Sequence, residues 1–65
     1  MQVRGFEQLK VLEALERAPC LVSDLVQELR MPASEVKAVL EQLRMKGVVE
    51  RAPSGFYYLK RGEGA

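Results

Sequence analysis

The sequence lacks the residue types from which metal sites and most catalytic sites are built. It contains no histidine and no tryptophan, and its single cysteine, Cys20, has no second thiol for an internal disulfide. A zinc site needs about three or four Cys, His or carboxylate ligands, which the sequence does not offer as a cluster. We therefore expect no enzyme activity, no metal and no cofactor. Cys20 lies in an apolar stretch, and we expect it to be a small buried residue.

Long apolar runs are also missing. No stretch approaches the roughly 20 apolar residues that a membrane-spanning helix needs, so we expect no contact with a membrane. The first ten residues carry charges every few positions and have no apolar segment typical of a signal peptide, which predicts a cytoplasmic protein. A chain of 65 residues has room for one thin core. We predict one domain over residues 1–61 and a flexible tail over residues 62–65.

Apolar residues recur at helical spacing in two segments of the first half. The first segment spans residues 6–17 and ends before Pro19, which disfavours helix in the residue that precedes it. Its expected buried face consists of Phe6, Leu9, Leu12 and Leu15, with Val11 beside them. The second segment spans residues 22–30 and has a similar apolar stripe. That stripe consists of Val22, Leu25, Val26 and Leu29.

A third helix is predicted over residues 33–46. Pro32 and Ala33 open it, because proline is favoured at or near the first helical position. Glu35 suits the positive N-terminal end of the helix dipole, and Gly47 is typical of a helix C-cap. The apolar stripe of this helix consists of Val36, Leu40 and Leu43.

After Gly47 the residue pattern changes to that of two short strands. Residues 48–51 form a short segment that begins with two β-branched valines. Residues 52–55 are turn formers, and residues 56–60 are rich in aromatics. This pattern predicts a β-hairpin over residues 48–60. The fold class we predict is α+β and mostly α, with three helices followed by a two-stranded hairpin.

This order, with a turn of about three residues between the second and third helices, resembles the winged helix-turn-helix family. The most specific piece is V-x-x-x-L-x-x-L-x-x-x-G-V-V-x-R, from Val36 to Arg51, followed by Tyr57 and Leu59. The string is similar to the DNA-binding core of MarR, ArsR and Lrp-type regulators. The resemblance implies a third helix in the major groove and a hairpin, the wing, on the DNA backbone or in the minor groove.

The resemblance has further implications for the wing and for the start of the second helix. It implies burial of Tyr57 and Leu59, which would leave Phe56 and Tyr58 partly exposed on the other face of the strand. The family often has Ser or Thr as the N-cap of the second helix, whereas this chain has Leu21 there. The long dimerisation helices of ArsR-like and MarR-like regulators are missing, as are the Cys and His residues of the metal sensors.

The charge is unevenly divided along the chain. Residues 1–32 hold four basic and five acidic side chains, whereas residues 33–61 hold six basic and three acidic ones. The half that would face DNA is therefore the basic half, which favours contact with phosphates. The alternative is that these are ordinary solvent-exposed surface charges without a role in binding. The residues predicted to contact DNA are Ser34, Lys37, Ala38, Gln42, Arg51, Ser54, Lys60 and Arg61.

Two functions fit these features. The first is a small DNA-binding protein, a transcription regulator or an architectural protein, that binds double-stranded DNA. It would form a homodimer through the first helix, around Met1, Val3 and Phe6, because one small module buries too little surface for high affinity. The second is a protein-interaction module of a larger assembly that does not bind DNA. Its surface would combine Phe56 and Tyr58 with the outer face of the third helix, which consists of Ser34, Ala38, Glu41 and Met45.

Overall fold

A computed structural model describes residues 5–60 of the chain. Its elements are α1 (Gly5–Arg17), α2 (Val22–Leu29), α3 (Ala33–Met45), β1 (Val49–Arg51) and β2 (Tyr57–Leu59). The order of three helices and a hairpin confirms the predicted fold class, and every helix end lies within one residue of its predicted position. Met1, Val3, Arg61 and the predicted tail over residues 62–65 lie outside the described residues.

Helix α1 is rotated relative to the face that the sequence predicted. The buried residues are Val11, Ala14 and Leu15, whereas Phe6 is 68% exposed and Leu9 is 53% exposed. The prediction was right for Val11 and Leu15 and wrong for Phe6 and Leu9, because residues spaced by three drift around a helix that turns about 100° per residue. Over nine residues the drift carries the side chain to the opposite side, so a run of threes cannot lie on one face.

Helix α2 begins without the Ser or Thr cap that is common in such folds. Leu21 is the N-cap residue, and its backbone N–H donates to the Asp24 carboxylate at 3.1 Å. This bond is half of a capping box, in which an acidic residue at the third helical position satisfies a free donor at the helix start. The helix ends at Arg30, which has the left-handed backbone conformation with φ 57°.

Helix α3 ends with Lys46 as its C-cap, and Gly47, which was predicted as the cap, follows it in the left-handed conformation. Gly47 has φ +79°, and its N–H donates to the Arg44 carbonyl at 2.9 Å. The N–H of Val48 donates to the Leu43 carbonyl at 2.9 Å. These two bonds satisfy carbonyls of the last helical turn and direct the chain into β1.

The hairpin is short and closed by a tight turn. β1 and β2 pair antiparallel, with Arg51 opposite Tyr57. The N–H of Gly55 donates to the Ala52 carbonyl at 2.8 Å, and Gly55 has φ +102°. The N–H of Ala52 donates to the Phe56 carbonyl at 2.8 Å, which leaves a loop of three residues, 53–55. A three-residue loop that ends in a left-handed glycine is a common hairpin connection. It places Pro53 and Ser54 at the exposed tip.

A third extended segment joins the hairpin, and the sequence analysis did not predict it. Cys20, between α1 and α2, forms an isolated antiparallel bridge with Tyr57. Its N–H donates to the Tyr57 carbonyl at 3.0 Å, and the Tyr57 N–H donates to the Cys20 carbonyl at 2.7 Å. The bridge fixes the hairpin beside the N-terminus of α2.

The core lies between the three helices and β1. α3 contributes its whole inner face, which includes the predicted stripe and Val39. Leu25 is the buried residue of α2, and Val49 supplies the contact from β1. Tyr57 and Leu59 are half-buried against this core, as the resemblance implied. Within residues 5–60, no helix has the length and apolar content needed to cross a bilayer.

Candidate nucleic-acid interface

A shallow groove lies where the start of α2, the outer side of α3 and the hairpin meet. Its volume is about 460 Å³. The hairpin turn lies close to α2, because a Cβ on Gly55 would be 3.5 Å from Leu21 Cδ2. The residues that line the groove are Leu21, Val22, Ser23, Lys37, Glu41, Arg51, Gly55 and Tyr57.

Two cations from different elements face this groove. Lys37 is exposed on the first half of α3, and Arg51 is exposed at the end of β1. Arg51 points to the same side of the hairpin as Tyr57, its partner in the ladder. Neither cation takes part in the ion pairs found among residues 5–60. Both were predicted to contact DNA, and both are available to an anion.

Lys60 and Gln42, which were also predicted to contact DNA, lie elsewhere. Lys60 follows β2 on the outer face of the hairpin, and its Nζ is 3.3 Å from the Glu50 carboxylate. Gln42 is half-buried at the junction of α3 and α1, where its Oε1 accepts a hydrogen bond of 2.9 Å from Gln8. The structure therefore separates Lys60 and Gln42 from the groove.

The small predicted residues are exposed but do not line the groove. Ser34 and Ala38 are exposed on α3, on the side opposite the buried face, and Ser54 is exposed at the hairpin tip. Their short side chains leave the α3 backbone accessible to a large partner. Ser23, which is not among the residues predicted to contact DNA, also lines the groove. The fold of the α1–α2 connection brings it there, and no local sequence signal indicates this position.

The outer face of α3 carries an ion pair that the sequence analysis did not predict. Arg44 Nη1 lies 3.4 Å from Glu41 Oε1, one turn apart on the helix. Both side chains are exposed, at 43% for Arg44 and 59% for Glu41. Exposed pairs of this kind contribute little to stability, so the main effect of Arg44 here is to offset the negative charge of Glu41.

Cys20 has a structural position beside the groove. It is buried, and its Sγ donates to the Ala18 carbonyl at 3.3 Å. Burial raises the pKa of the Cys20 thiol, and the carboxylates of Glu28 and Asp24 raise it further. A neutral, buried thiol is a packing group, which confirms the expectation for this residue.

Apolar side chains are exposed at three places, on the hairpin, at the end of α3 and on α1. Phe56 and Tyr58 are 38% and 40% exposed on the hairpin, which confirms the expected exposure, and Met45 is 80% exposed at the end of α3. Phe6 and Leu9 are exposed on α1, where Lys10 Nζ lies 5.3 Å from the centroid of the Phe6 ring. The α1 residues do not line the groove.

Residues 6–55, which extend from α1 to the hairpin turn, match the family model described as the DprA winged helix domain. No curated protein and no solved structure matches the chain. The match confirms the winged helix and does not confirm the closer likeness to MarR, ArsR and Lrp-type regulators. Because it covers most of the 65 residues, the chain belongs to the DprA winged helix domain family.

Proposed function

We propose that this domain binds double-stranded DNA through the groove between α2, α3 and the hairpin. α3 would enter the major groove, and the hairpin would contact the backbone or the minor groove. The observation that carries the proposal is the convergence of Lys37 and Arg51, from two separate elements, on one accessible surface. Cations placed in this way can each bind a phosphate and release its counterions.

Local geometry around the two cations supports the same function. The exposed N-terminus of α2, with Ser23 at its first turn, lines the groove beside them. Free backbone N–H groups and the helix dipole favour an anion at such a position. Contacts from α2, α3 and the hairpin would fix the orientation of the domain on the duplex, because phosphate contacts set register.

The biological role that we propose is that of a small transcription regulator acting in the cytoplasm as a homodimer. Phe6 and Leu9 support the dimer, since both are exposed on α1 and neither lines the groove. Two copies joined through α1 would leave both grooves free. Doubling the DNA contact area would raise the affinity above that of one module.

Fluorescence anisotropy with a labelled duplex of mixed sequence tests the DNA-binding proposal. Titrations at about 50 and 200 mM salt cover the range in which counterion release strongly changes affinity. We expect salt-sensitive binding by the natural chain. Lys37→Ala and Arg51→Ala should each weaken it and should lower the slope of log affinity against log salt by about one.

Arg17→Ala is the matched control, because it removes the same charge from the C-terminal end of α1, away from the groove. It should leave the salt slope close to that of the natural chain. An equal loss of affinity in all three variants would mean that only net charge matters. Full affinity in Lys37→Ala and Arg51→Ala would move the binding surface elsewhere.

A protein partner is the second candidate. It is favoured by the exposed apolar side chains of Phe56 and Tyr58 on the hairpin and of Met45 at the end of α3. Exposed aromatics can fit an apolar groove of another protein. If no duplex binds at low salt, a pull-down with the natural chain and with the Tyr58→Ser variant is the next measurement.

A further inference from the structure

Glu41 and Arg44 form an exposed ion pair at the outer face of α3. The buried residues of α3 occupy one side, and Ser34, Ala38 and Met45 are exposed on the opposite side together with Glu41. Glu41 is paired with Arg44 at 3.4 Å. This face therefore offers a partner a carboxylate and a guanidinium side by side, with uncharged side chains on one side and the cation of Lys37 on the other.

The pair matches the hydrogen-bonding groups of one base pair in the major groove. Cytosine presents the N4 amino donor there, and guanine presents two acceptors, O6 and N7. A carboxylate can accept from cytosine N4, and a guanidinium can donate to guanine O6 and N7. Because the ends of the two side chains converge, they suit one base pair better than two successive ones.

An A·T base pair does not offer the same match. Adenine presents its N6 donor next to N7, and thymine presents O4 beside a methyl group. Arg44 would lose one of its two acceptors on the purine, and Glu41 would lie against the thymine O4 and its methyl group. Leaving a carboxylate without a donor in a desolvated groove is costly.

We infer that Glu41 and Arg44 act as a specificity-determining pair that selects a G·C base pair in the bound duplex. Glu41 accepts from cytosine N4, and Arg44 donates to guanine O6 and N7. The inference rests on the proposed DNA-binding function and deepens it, because it names a feature of the bound sequence. It also explains how an acidic residue can lie on a face that approaches phosphates, since Arg44 offsets its charge.

The test measures the affinity for DNA of any sequence separately from the preference for a G·C base pair. The natural chain is first titrated with a mixed-sequence duplex at about 50 mM salt, which tests binding alone. Bound duplexes are then selected from a randomised pool and sequenced. The enriched duplex is finally compared with versions in which single G·C pairs are replaced by A·T.

For the natural chain we expect one G·C position at which replacement weakens binding by about fivefold or more, which corresponds to about 1 kcal/mol for a specific base contact. In Glu41→Gln and Arg44→Gln this ratio should fall towards one. Glu41→Gln should at the same time bind mixed DNA at least as tightly as the natural chain, because it loses a negative charge. If Glu41 had only a structural role, its replacement by glutamine would not raise the affinity for mixed DNA while lowering the G·C preference.

Glu35→Gln and Lys46→Gln are the matched controls. Glu35→Gln removes a negative charge, as Glu41→Gln does, and Lys46→Gln removes a positive charge, as Arg44→Gln does. Neither residue belongs to the outer face of α3, and Lys46 Nζ donates to Gln8 Oε1 of α1 at 3.3 Å. Both should keep the G·C preference. Binding to mixed DNA without any G·C preference, or a preference unchanged in Glu41→Gln and Arg44→Gln, would overturn the inference and leave the proposed function intact. Absence of binding to every duplex would overturn both.

Discussion

Leu40 and Leu43 fix α3 to the rest of the domain at the level of single residues. Both side chains are buried, with exposed fractions of 0% and 2%. Leu40→Ala and Leu43→Ala should each lower the free energy of unfolding by about 2–5 kcal/mol, because each leaves a cavity in a small core. Thermal or urea denaturation followed by circular dichroism measures this loss.

Leu9→Ala provides the comparison for these two variants. Leu9 lies on α1 and is 53% exposed, so its truncation should change the stability by no more than about 0.5 kcal/mol. If Leu40→Ala or Leu43→Ala melted like the natural chain, the buried face assigned to α3 would be wrong, and with it the outer face that is proposed to contact DNA.

The pairing of the basic side chains was not predictable from the sequence. Counting charges identified the basic half of the chain, but it did not show which of the cations there are paired with a carboxylate. In the structure Arg44 pairs with Glu41 and Lys60 with Glu50, whereas Lys37 and Arg51 face the groove. The partner of a hairpin residue depends on the strand register, which a short sequence pattern does not determine.

At the level of elements, helix ends were predictable and helix orientation was less so. Proline at a helix start and Gly47 after a helix end are local signals, and the structure follows both. On α1 the prediction was right for Val11 and Leu15 and wrong for Phe6 and Leu9, which are apolar but exposed. The spacing of Val11, Ala14 and Leu15, at i, i+3 and i+4, gives the buried face correctly.

The Cys20–Tyr57 bridge could not be predicted from a strand pattern. A single residue has no alternation of polar and apolar side chains, so the period-two signal of a strand is absent. The bridge nevertheless decides the shape of the candidate site, because it places the hairpin beside the start of α2. The groove was therefore a property of the tertiary fold, although two of its residues, Lys37 and Arg51, had been named from the sequence.

The junction between α3 and β1 gives a prediction at the level of elements. Gly47 has φ +79°, a conformation that costs a residue with a Cβ about 1–2 kcal/mol, while no atom lies within 4 Å of an added Cβ. Gly47→Ala should therefore destabilise the domain through backbone strain alone, by about 1 kcal/mol. Chemical denaturation measures the change.

Gly5→Ala is the matched variant for Gly47→Ala. Gly5 begins α1, has no positive φ, and also has open space around an added Cβ. Alanine should be neutral or slightly stabilising there, since it favours helix over glycine. Equal stability of Gly47→Ala and the natural chain would contradict the left-handed cap, and a loss in both variants would indicate a cause other than φ.

At the scale of the whole molecule, the candidate DNA-binding surface and the exposed apolar residues of α1 are separate. The groove is built from α2, α3 and the hairpin, and the exposed Phe6 and Leu9 belong to α1. An arrangement of this kind would allow one surface to bind DNA while the other contacts a second copy. The proposed homodimer therefore makes a prediction that does not depend on DNA.

Sedimentation equilibrium of the natural chain should show a dimer fraction that rises with protein concentration. Phe6→Glu should reduce it strongly, because two carboxylates would meet at a symmetric contact in place of two aromatic rings. Met45→Glu is the control, since it places the same charge on a residue that is 80% exposed on α3. It should dimerise like the natural chain. A natural chain that stays monomeric up to millimolar concentration would contradict the dimer, and equal weakening in both variants would show that net charge, not the α1 surface, controls association.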